Sequence, residues 1–189
     1  MHHIAIFASG SGSNAQQITE YFRSHPDIRV RLILSNNPDA YVLKRADNMG
    51  IPSYLFNREE LYNSKTVLKV LQDHEISFIV LAGFLWLVPD YLLKAYSGRI
   101  VNIHPALLPK FGGKGMYGEK VHEAVIQSGE KRTGISIHFV NERYDEGEII
   151  FQESFEIKPD DTPESIAERV HSLEYRHFPE VIESVINNC

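Results

Sequence analysis

The amino-acid sequence predicts an α/β fold, with a single domain built on an open, mostly parallel, twisted sheet that carries helices on both faces. Short runs of β-branched and apolar residues alternate along the chain with segments of helical length and composition, which is typical of this class. No repeat, low-complexity tract or Gly/Ser linker divides the 189 residues, and 43% of them are hydrophobic, enough for one substantial core. We therefore predict one Rossmann-like domain over residues 1–189.

The first half of the chain contains four predicted strands separated by predicted helices. Runs such as Ile4 to Phe7 and Phe78 to Leu81 are short, apolar and rich in the residues that strands prefer. The predicted strands span residues 3–8, 28–35, 77–82 and 99–103, and the predicted helices lie near 14–24, 40–49, 59–74 and 89–96.

The second half continues with a helix from 118 to about 128, strands near 133–140 and 148–157, and a final helix. Thr162-Pro163-Glu164 marks the start of the final helix, with a threonine N-cap, proline at the first position and an acid in the first turn. Pro179 should kink or break this helix near its end, because proline lacks an N–H group and crowds the preceding turn.

Unusual sequences follow four of the predicted strands. Ligands of open α/β sheets bind outside the carboxyl ends of the strands, so these four segments predict an active cleft at one edge of the sheet. They are Ser9 to Asn14, Ala82-Gly83-Phe84, Asn102 to Pro105, and Asn141 to Gly147.

The segment Gly10 to Ala15 joins a strand to a helix and predicts a phosphate site. Free backbone N–H groups and the dipole of the helix both favour an anion there. The spacing also fits a dinucleotide fingerprint, but the next strand ends in Leu34-Ser35-Asn36-Asn37, without the acid that binds a ribose, which disfavours a nicotinamide cofactor. The alternative is a glycine-rich turn without a ligand.

Asn102 and His104 are the best candidates for chemistry. Residues two apart in a strand point to the same face, so an amide that stabilises an oxyanion would lie beside an imidazole that moves a proton. Asp145 could raise the pKa of the imidazole and orient it. The alternatives are that His104 is a buried structural histidine and that Asp145 only forms a turn before Gly147.

Other classes of site fit the sequence less well. His138 faces the same way as Ser136 and could line the cleft, where we expect it to support the site rather than to react. No clustered metal-ligand spacing is present, so we predict no metal, and no G-x-S-x-G segment indicates a nucleophilic serine. Acyl transfer without a covalent enzyme intermediate fits better, because a bound amine can attack directly.

Composition limits the partners and the compartment. A formal net charge of -6 argues against non-specific binding to nucleic acid, and no stretch of the sequence approaches a membrane span. We expect no signal peptide. The single cysteine, Cys189, excludes an internal disulfide framework and fits a reducing compartment, so we predict a cytoplasmic protein and assign Cys189 no role.

The segment Asn102 to Lys110, with Gly10 to Asn14 before it and Asp145 after it, closely resembles the phosphoribosylglycinamide formyltransferase family, the folate-dependent enzymes of purine synthesis. Leu81 to Phe84, Gly134 to Val140 and Glu174 strengthen the resemblance, which covers nearly the whole chain. Each motif alone would be weak, but their order and spacing together are highly specific.

The resemblance implies formyl transfer from 10-formyltetrahydrofolate, a cosubstrate, to the glycyl amine of glycinamide ribonucleotide. By this resemblance Asn102 polarises the formyl oxygen and holds the tetrahedral intermediate. His104 donates the proton, and Asp145 raises the pKa of His104 and relays protons through water.

The resemblance also divides the cleft between two substrates. The phosphate of the ribonucleotide would bind Gly12, Ser13 and Asn14, and Glu174 would hold the ribose, with His171 at a second ribonucleotide position. The folate would contact Asn102, an apolar wall, a second wall and an arginine at its tail, for which Arg58 is the candidate and Glu60 competes. The apolar wall comprises Leu85, Trp86, Leu87 and Val88, of which the last two could instead be ordinary core, and the second wall comprises Asn141, Glu142, Arg143, Tyr144 and Asp145.

A loop from Phe111 to Gly118 contains four glycines in eight residues and is expected to form a mobile cover over the cleft. We expect small-molecule substrates and a monomer or homodimer. Four alternatives stay open: a formyltetrahydrofolate deformylase, a methionyl-tRNA formyltransferase, a sugar-nucleotide formyltransferase, and a ligand-sensing module without turnover. The tRNA enzyme is expected to carry a further nucleic-acid-binding domain, and the deformylase an N-terminal regulatory domain.

Overall fold

A seven-stranded sheet forms the centre of the computed structural model, which describes residues 1–188. The strands lie in the order β3-β2-β1-β4-β5-β6-β7. The first five of these run parallel, and β6 is antiparallel to both β5 and β7, so the predicted open, mostly parallel sheet is confirmed. The strands are β1 (His2–Phe7), β2 (Ile28–Ser35), β3 (Ser53–Leu55), β4 (Phe78–Leu81), β5 (Ile100–His104), β6 (Arg132–Phe139) and β7 (Ile149–Glu156).

Helices cover both faces of the sheet, as predicted, and each face has its own apolar core. Ile4 and Ile6 of β1 face a core formed with α1, α2 and α7, whereas Ala5 and Phe7 face a core formed with α3, α4 and α5. This alternation follows from the two-residue period of a strand. The helices are α1 (Ser13–Phe22), α2 (Tyr41–Met49), α3 (Arg58–Tyr62), α4 (Thr66–Asp73), α5 (Asp90–Ala95), α6 (Glu119–Gln127) and α7 (Pro163–Asn187).

Three details differ from the prediction. The three-residue edge strand β3 was not predicted, because Ser53 and Leu55 are exposed and give no apolar pattern. The predicted helix 59–74 is two helices, and Lys65 between them adopts a positive φ of 56° that interrupts helical geometry. The helix α7 continues through Pro179 to Asn187, so the expected break is wrong.

Packing explains why α7 continues through its proline. Pro179 is itself buried, and Phe178 and Ile182 on either side of it are both fully buried in the core. Burial of such side chains outweighs one missing backbone hydrogen bond. The start of α7 is as predicted, since the Thr162 hydroxyl accepts from the N–H of Ser165 at 3.3 Å. Within residues 1–188, no helix is both long and apolar enough to cross a membrane.

The strand order reverses between β1 and β4, which opens a crevice at their carboxyl ends. Ser9 joins the two sides of this crevice. Its N–H donates to the carbonyl of Gly83 at 3.0 Å, and its hydroxyl accepts from the N–H of Leu85 at 3.1 Å and donates to Asn36 at 2.6 Å. The loops after β1, β2 and β4 are therefore held in one fixed arrangement.

Helix α2 packs against the glycine-rich segment from Gly10 to Ala15, which follows β1. The N–H of Val42 donates to the carbonyl of Gly10 at 3.1 Å. Gly12 adopts a positive φ of 73°, and a Cβ there would lie 2.3 Å from Cγ2 of Val42. Only glycine fits both the conformation and the space at this position.

We predict that Gly12→Ala destabilises the protein by about 2–4 kcal/mol, because it combines a left-handed backbone with overpacking against Val42. Gly10→Ala is the matched control, since a Cβ at Gly10 meets no atom within 4 Å. Urea unfolding of both variants measures the difference. Equal stability of the two variants would contradict this role of Gly12.

Candidate active site

A cleft of about 550 Å³ lies at the carboxyl ends of β1, β4 and β5, where the sequence predicted it. All four predicted segments contribute to its walls. The lining comprises residues 9–14, 82–86, 102–105 and 113–118, together with Arg58, His122, Tyr144, Asp145, His171 and Glu174.

Asp145 lies at the centre of a polar cluster in this cleft. Its Oδ1 accepts from Nδ2 of Asn102 at 3.3 Å and is 3.6 Å from Nε2 of His138. Its Oδ2 accepts from the backbone N–H of Gly113 at 2.9 Å and is 3.5 Å from Nδ1 of His104. The structure thus brings together the three residues predicted to be catalytic, with His138 in the supporting place expected for it.

The hydrogen bonds of His138 determine its tautomer. Its Nδ1 lies 2.7 Å from the carbonyl oxygen of Phe139, which can only accept, so Nδ1 carries the hydrogen of the neutral ring. Its Nε2 must then accept from Nδ2 of Asn102 at 3.0 Å. This bond fixes the amide of Asn102 with its nitrogen toward His138 and Asp145.

His104 is buried, with 3% of its surface exposed, between two acceptors. Its Nε2 donates to the carbonyl oxygen of Phe111 at 2.7 Å, and its Nδ1 faces the carboxylate of Asp145. Burial lowers the pKa of His104, and the Asp145 carboxylate and the Phe111 carbonyl offset this only in part. Asp145 thus raises this pKa, as expected, but desolvation disfavours the charged imidazole more, so the net shift is downward.

The carboxyl group of Asp145 stays ionised despite its burial. Burial by itself raises its pKa, but the nearby imidazoles of His138 and His104 and the hydrogen bond from the N–H of Gly113 together lower it below its ordinary value. Asp145 also has a positive φ of 56°, uncommon for a residue other than glycine. The backbone there is constrained so that the carboxylate points into the cluster.

The glycine-rich loop 111–118 is docked on the cluster. The carbonyl of Phe111 binds His104 and the N–H of Gly113 binds Asp145. A Cβ on Gly112 would lie 2.6 Å from Cδ2 of Leu108 and 3.2 Å from Cβ of Asp145, so a larger residue here would force the Leu108 side chain or the loop to shift. The loop therefore covers one side of the cleft, and its predicted mobility stays a prediction.

The predicted ribonucleotide residues lie together at the other end of the cleft. Nδ2 of Asn14 donates to Oε2 of Glu174 at 2.9 Å, and Oδ1 of Asn14 is buried without a partner in the described chain. Burial raises the pKa of Glu174 to about 7, although the bond from Asn14 opposes this. His171 also lines the cleft, where it is exposed to solvent on one side, and desolvation by its neighbours on the other lowers its pKa.

The predicted folate walls are only partly in the cleft. Leu85, Trp86 and Tyr144 line it, and the guanidinium of Arg58 lies 4.6 Å from the centre of the Trp86 ring. Glu60 instead closes the capping box of α3 with Asn57.

Five predicted folate residues do not line the cleft. The side chain of Val88 is 6% exposed in the apolar core, which favours the alternative that it is ordinary core, and its place in the folate wall stays a prediction. Leu87 also lies outside the lining, and its carbonyl accepts from the Tyr62 hydroxyl at 2.9 Å. The prediction that a whole second wall faces the cleft is wrong for the side chains of Asn141, Glu142 and Arg143, because they lie in an exposed or half-buried turn.

The sequence analysis missed one cleft residue with clear chemical potential, His122. The sequence analysis gave His122 no role, but it is 3% exposed and lines the cleft. The only signal was its place beside Val121 on a short amphipathic helix, which does not distinguish a cleft residue from a core residue.

Comparison with known proteins identifies the family to which this chain belongs. A family model described as formyl transferase matches residues 2–182, so the chain belongs to the formyl transferase family. This confirms the family that the motifs indicated.

Relatives named phosphoribosylglycinamide formyltransferase are similar along nearly the whole chain. The Bacillus subtilis protein is 38% identical over 98% of this chain and 95% of its own length. The chloroplastic protein of Arabidopsis thaliana is 41% identical over 96% of this chain, which spans 64% of that relative. The crystal structure of the Streptococcus pneumoniae protein of this name is 39% identical, with a TM-score of 0.86 over 98% of this chain and 99% of that one.

We predict that the free energy of unfolding of Glu174→Gln increases relative to that of the native chain as the pH rises. Burial raises the pKa of Glu174 from its ordinary value of 4.5 to about 7, so the folded state binds more protons than the unfolded state in that interval and native stability falls between these pH values. Relative to the native chain, Glu174→Gln should gain on the order of 3 kcal/mol between pH 4.5 and 7.5 in urea unfolding.

The matched control is Glu180→Gln on the same helix, because that side chain is 59% exposed. Its stability relative to the native chain should change little over the same pH range. A constant difference between Glu174→Gln and the native chain at all pH values would show that Glu174 is not held protonated by burial.

Proposed function

We propose that this protein transfers a formyl group from 10-formyltetrahydrofolate to the amine of glycinamide ribonucleotide, giving formylglycinamide ribonucleotide and tetrahydrofolate in purine (IMP) synthesis. The observation that carries the proposal is the cluster of Asn102, His104 and Asp145 in a cleft whose far end is suited to a ribonucleotide. The names of the full-length relatives support the same substrates.

The reaction makes three demands on the site. The amine nitrogen forms a bond to the formyl carbon, the bond from that carbon to the folate nitrogen breaks, and negative charge develops on the formyl oxygen between these events. The amine loses a proton and the folate nitrogen gains one, so no oxidant or metal is needed. The site must therefore donate a hydrogen bond to the oxygen and move one proton.

Asn102 is the donor to the formyl oxygen. One of its N–H groups is bound to His138 at 3.0 Å, and the other makes a longer bond of 3.3 Å to Asp145. The bond to Asp145 is the weaker of the two. The N–H group that makes it can therefore donate to an oxyanion instead, while the bond to His138 keeps the amide oriented. His138 thus supports the site by orienting the amide of Asn102.

His104 and Asp145 move the proton. A proton that reaches Nδ1 of His104 is stabilised by the carboxylate of Asp145 at 3.5 Å. The charged imidazole can then give its other proton to the leaving nitrogen, and its lowered pKa makes it a stronger acid. The buried setting strengthens the electrostatic attraction between the two groups.

The two ends of the cleft match the two substrates. The folate ring would lie against Leu85, Trp86 and Tyr144, with its tail toward Arg58. Backbone groups of Leu87 and the turn from Asn141 to Arg143 remain candidates for its polar edge. The ribonucleotide phosphate would bind the N–H groups of Gly12, Ser13 and Asn14 at the start of α1. Glu174 and His171 would bind the ribose, for which the unpaired Oδ1 of Asn14 is a further acceptor.

We predict that purified protein consumes 10-formyltetrahydrofolate only when glycinamide ribonucleotide is present, because the amine of the ribonucleotide is the acceptor. The absorbance of the folate follows the reaction. Loss of the formyl group without the ribonucleotide would instead show a deformylase. No loss in either reaction would refute the proposed transfer.

We predict that Asn102→Ala lowers kcat by about 10²- to 10³-fold, the usual loss on removal of one oxyanion donor. Asp145→Asn should also lower kcat, by about 10²-fold or more, because the proton on His104 loses its counter-ion. The KM of the ribonucleotide should change little in either variant.

Asp161→Asn is the matched control for Asp145→Asn. The Asp161 carboxylate is similarly shielded, with 8% exposure, and pairs with Arg169 at 2.8 Å, outside the residues that line the cleft. This control should keep native kcat. If Asn102→Ala or Asp145→Asn also kept it, the assigned chemistry would be wrong.

A further inference from the structure

His122 is the one buried imidazole in the cleft to which the proposed reaction gives no task. It lies in the first turn of α6, directly after the loop 111–118. Its neighbours Val121 and Val125 are fully buried in a small core with Ala106, which holds the helix in place. His122 itself is 3% exposed and lines the cleft instead.

The polar atoms of His122 are not satisfied within the described chain. Its Nδ1 is buried and has no hydrogen-bond partner. Buried polar atoms in folded proteins are nearly always paired, so a partly unsatisfied imidazole in the wall of a cleft is suited to bind a ligand. Nδ1 has almost no accessible surface, which leaves Nε2 as the ring nitrogen that can meet a molecule in the cleft.

The charge state of His122 restricts what it can bind. Burial, and then the nearby imidazoles of His171 and His104, lower its pKa to about 4. The ring is neutral at neutral pH and carries a single N–H group. A hydrogen on Nε2 is the useful one, because the buried Nδ1 has nothing to donate to. His122 therefore suits an uncharged oxygen acceptor rather than a phosphate.

The position of His122 identifies the part of the ligand that it faces. It lines the cleft together with His104 at the reaction centre and His171 at the ribose end, and its helix α6 packs against α7, which carries His171. In the proposed complex the ribose lies by Glu174 and the attacking amine by Asn102. The glycinamide arm joins these two groups, and its carbonyl oxygen is the neutral acceptor in that interval.

We propose that His122 is a substrate-binding residue that donates a hydrogen bond from Nε2 to the carbonyl oxygen of the glycinamide arm of the ribonucleotide. The inference rests on the proposed function, since it assumes that substrate. It makes His122 a residue that distinguishes a glycinamide ribonucleotide from a bare sugar phosphate. Because α6 directly follows the loop 111–118, the same hydrogen bond would connect the end of this loop to the bound substrate.

Two variants of His122 and one control test this inference by calorimetry. His122→Phe keeps a flat ring without a donor, and His122→Gln restores a donor near the place of Nε2. Val125→Ala, in the same helix and outside the cleft, controls for weakened packing of α6. Each protein is titrated with glycinamide ribonucleotide and with ribose 5-phosphate, which lacks the glycinamide arm, and thermal unfolding confirms that each is folded.

We expect His122→Phe to weaken binding of glycinamide ribonucleotide by about tenfold, the usual effect of one lost hydrogen bond, and to leave binding of ribose 5-phosphate unchanged. His122→Gln should recover most of the loss, and Val125→Ala should bind both compounds as the native protein does. In turnover, His122→Phe should raise the KM of the ribonucleotide and leave the KM of the folate unchanged.

Three results would overturn the inference. They are native affinity of His122→Phe for the ribonucleotide, an equal loss for both compounds, and an equal loss in Val125→Ala. These outcomes differ from failure of the proposed function, in which the native protein itself would neither bind nor formylate glycinamide ribonucleotide.

Discussion

The carboxylate of Asp145 is the interaction on which the site depends. It contacts the amide of Asn102, the imidazoles of His104 and His138, and the N–H of Gly113, so the two reacting groups, their support and the covering loop share one anion. A buried carboxylate is costly unless its lone pairs are satisfied, and the N–H groups of Asn102 and Gly113 each donate a hydrogen bond to it. The same contacts fix the geometry needed for catalysis, because moving any one partner leaves the charge less well compensated.

The sheet determines where this cluster lies. Parallel strands end at one edge, and the reversal of strand order beside β1 separates the loops there, so a cleft forms without any specialised insertion. The antiparallel strand β6 brings His138 beside Asn102 of β5, while the turn that follows it returns Asp145 to the same place. Ser9 holds the opposite wall. The fold thus supplies two preformed ends and a covering loop, and the proposed chemistry would take place where they meet.

Most of the fold and the centre of the site were predictable from sequence, because they depend on short-range patterns. Strand periodicity, the capped start of α7, and the paired positions of Asn102 and His104 are all local signals. The errors arose where tertiary contacts decide the outcome. Packing carries α7 through Pro179, burial outweighs the expected effect of Asp145 on the pKa of His104, and the side chain of Val88 lies in the core although Leu85 and Trp86 face the cleft. His122 could not be recognised because its place in the cleft depends on the packing of α6, whose partners are distant in sequence.

The most direct test of the central role of Asp145 is ¹⁵N NMR of histidine-labelled native protein and of Asp145→Asn across a pH titration. We expect neutral His138 to carry its hydrogen on Nδ1 and neutral His104 to carry it on Nε2, as their carbonyl partners require. Removal of the carboxylate should lower the pKa of His104 further, since Asp145 is the group that raises it against burial. An unchanged titration of His104 in Asp145→Asn, or a hydrogen on Nε2 of neutral His138, would contradict the arrangement from which the mechanism follows.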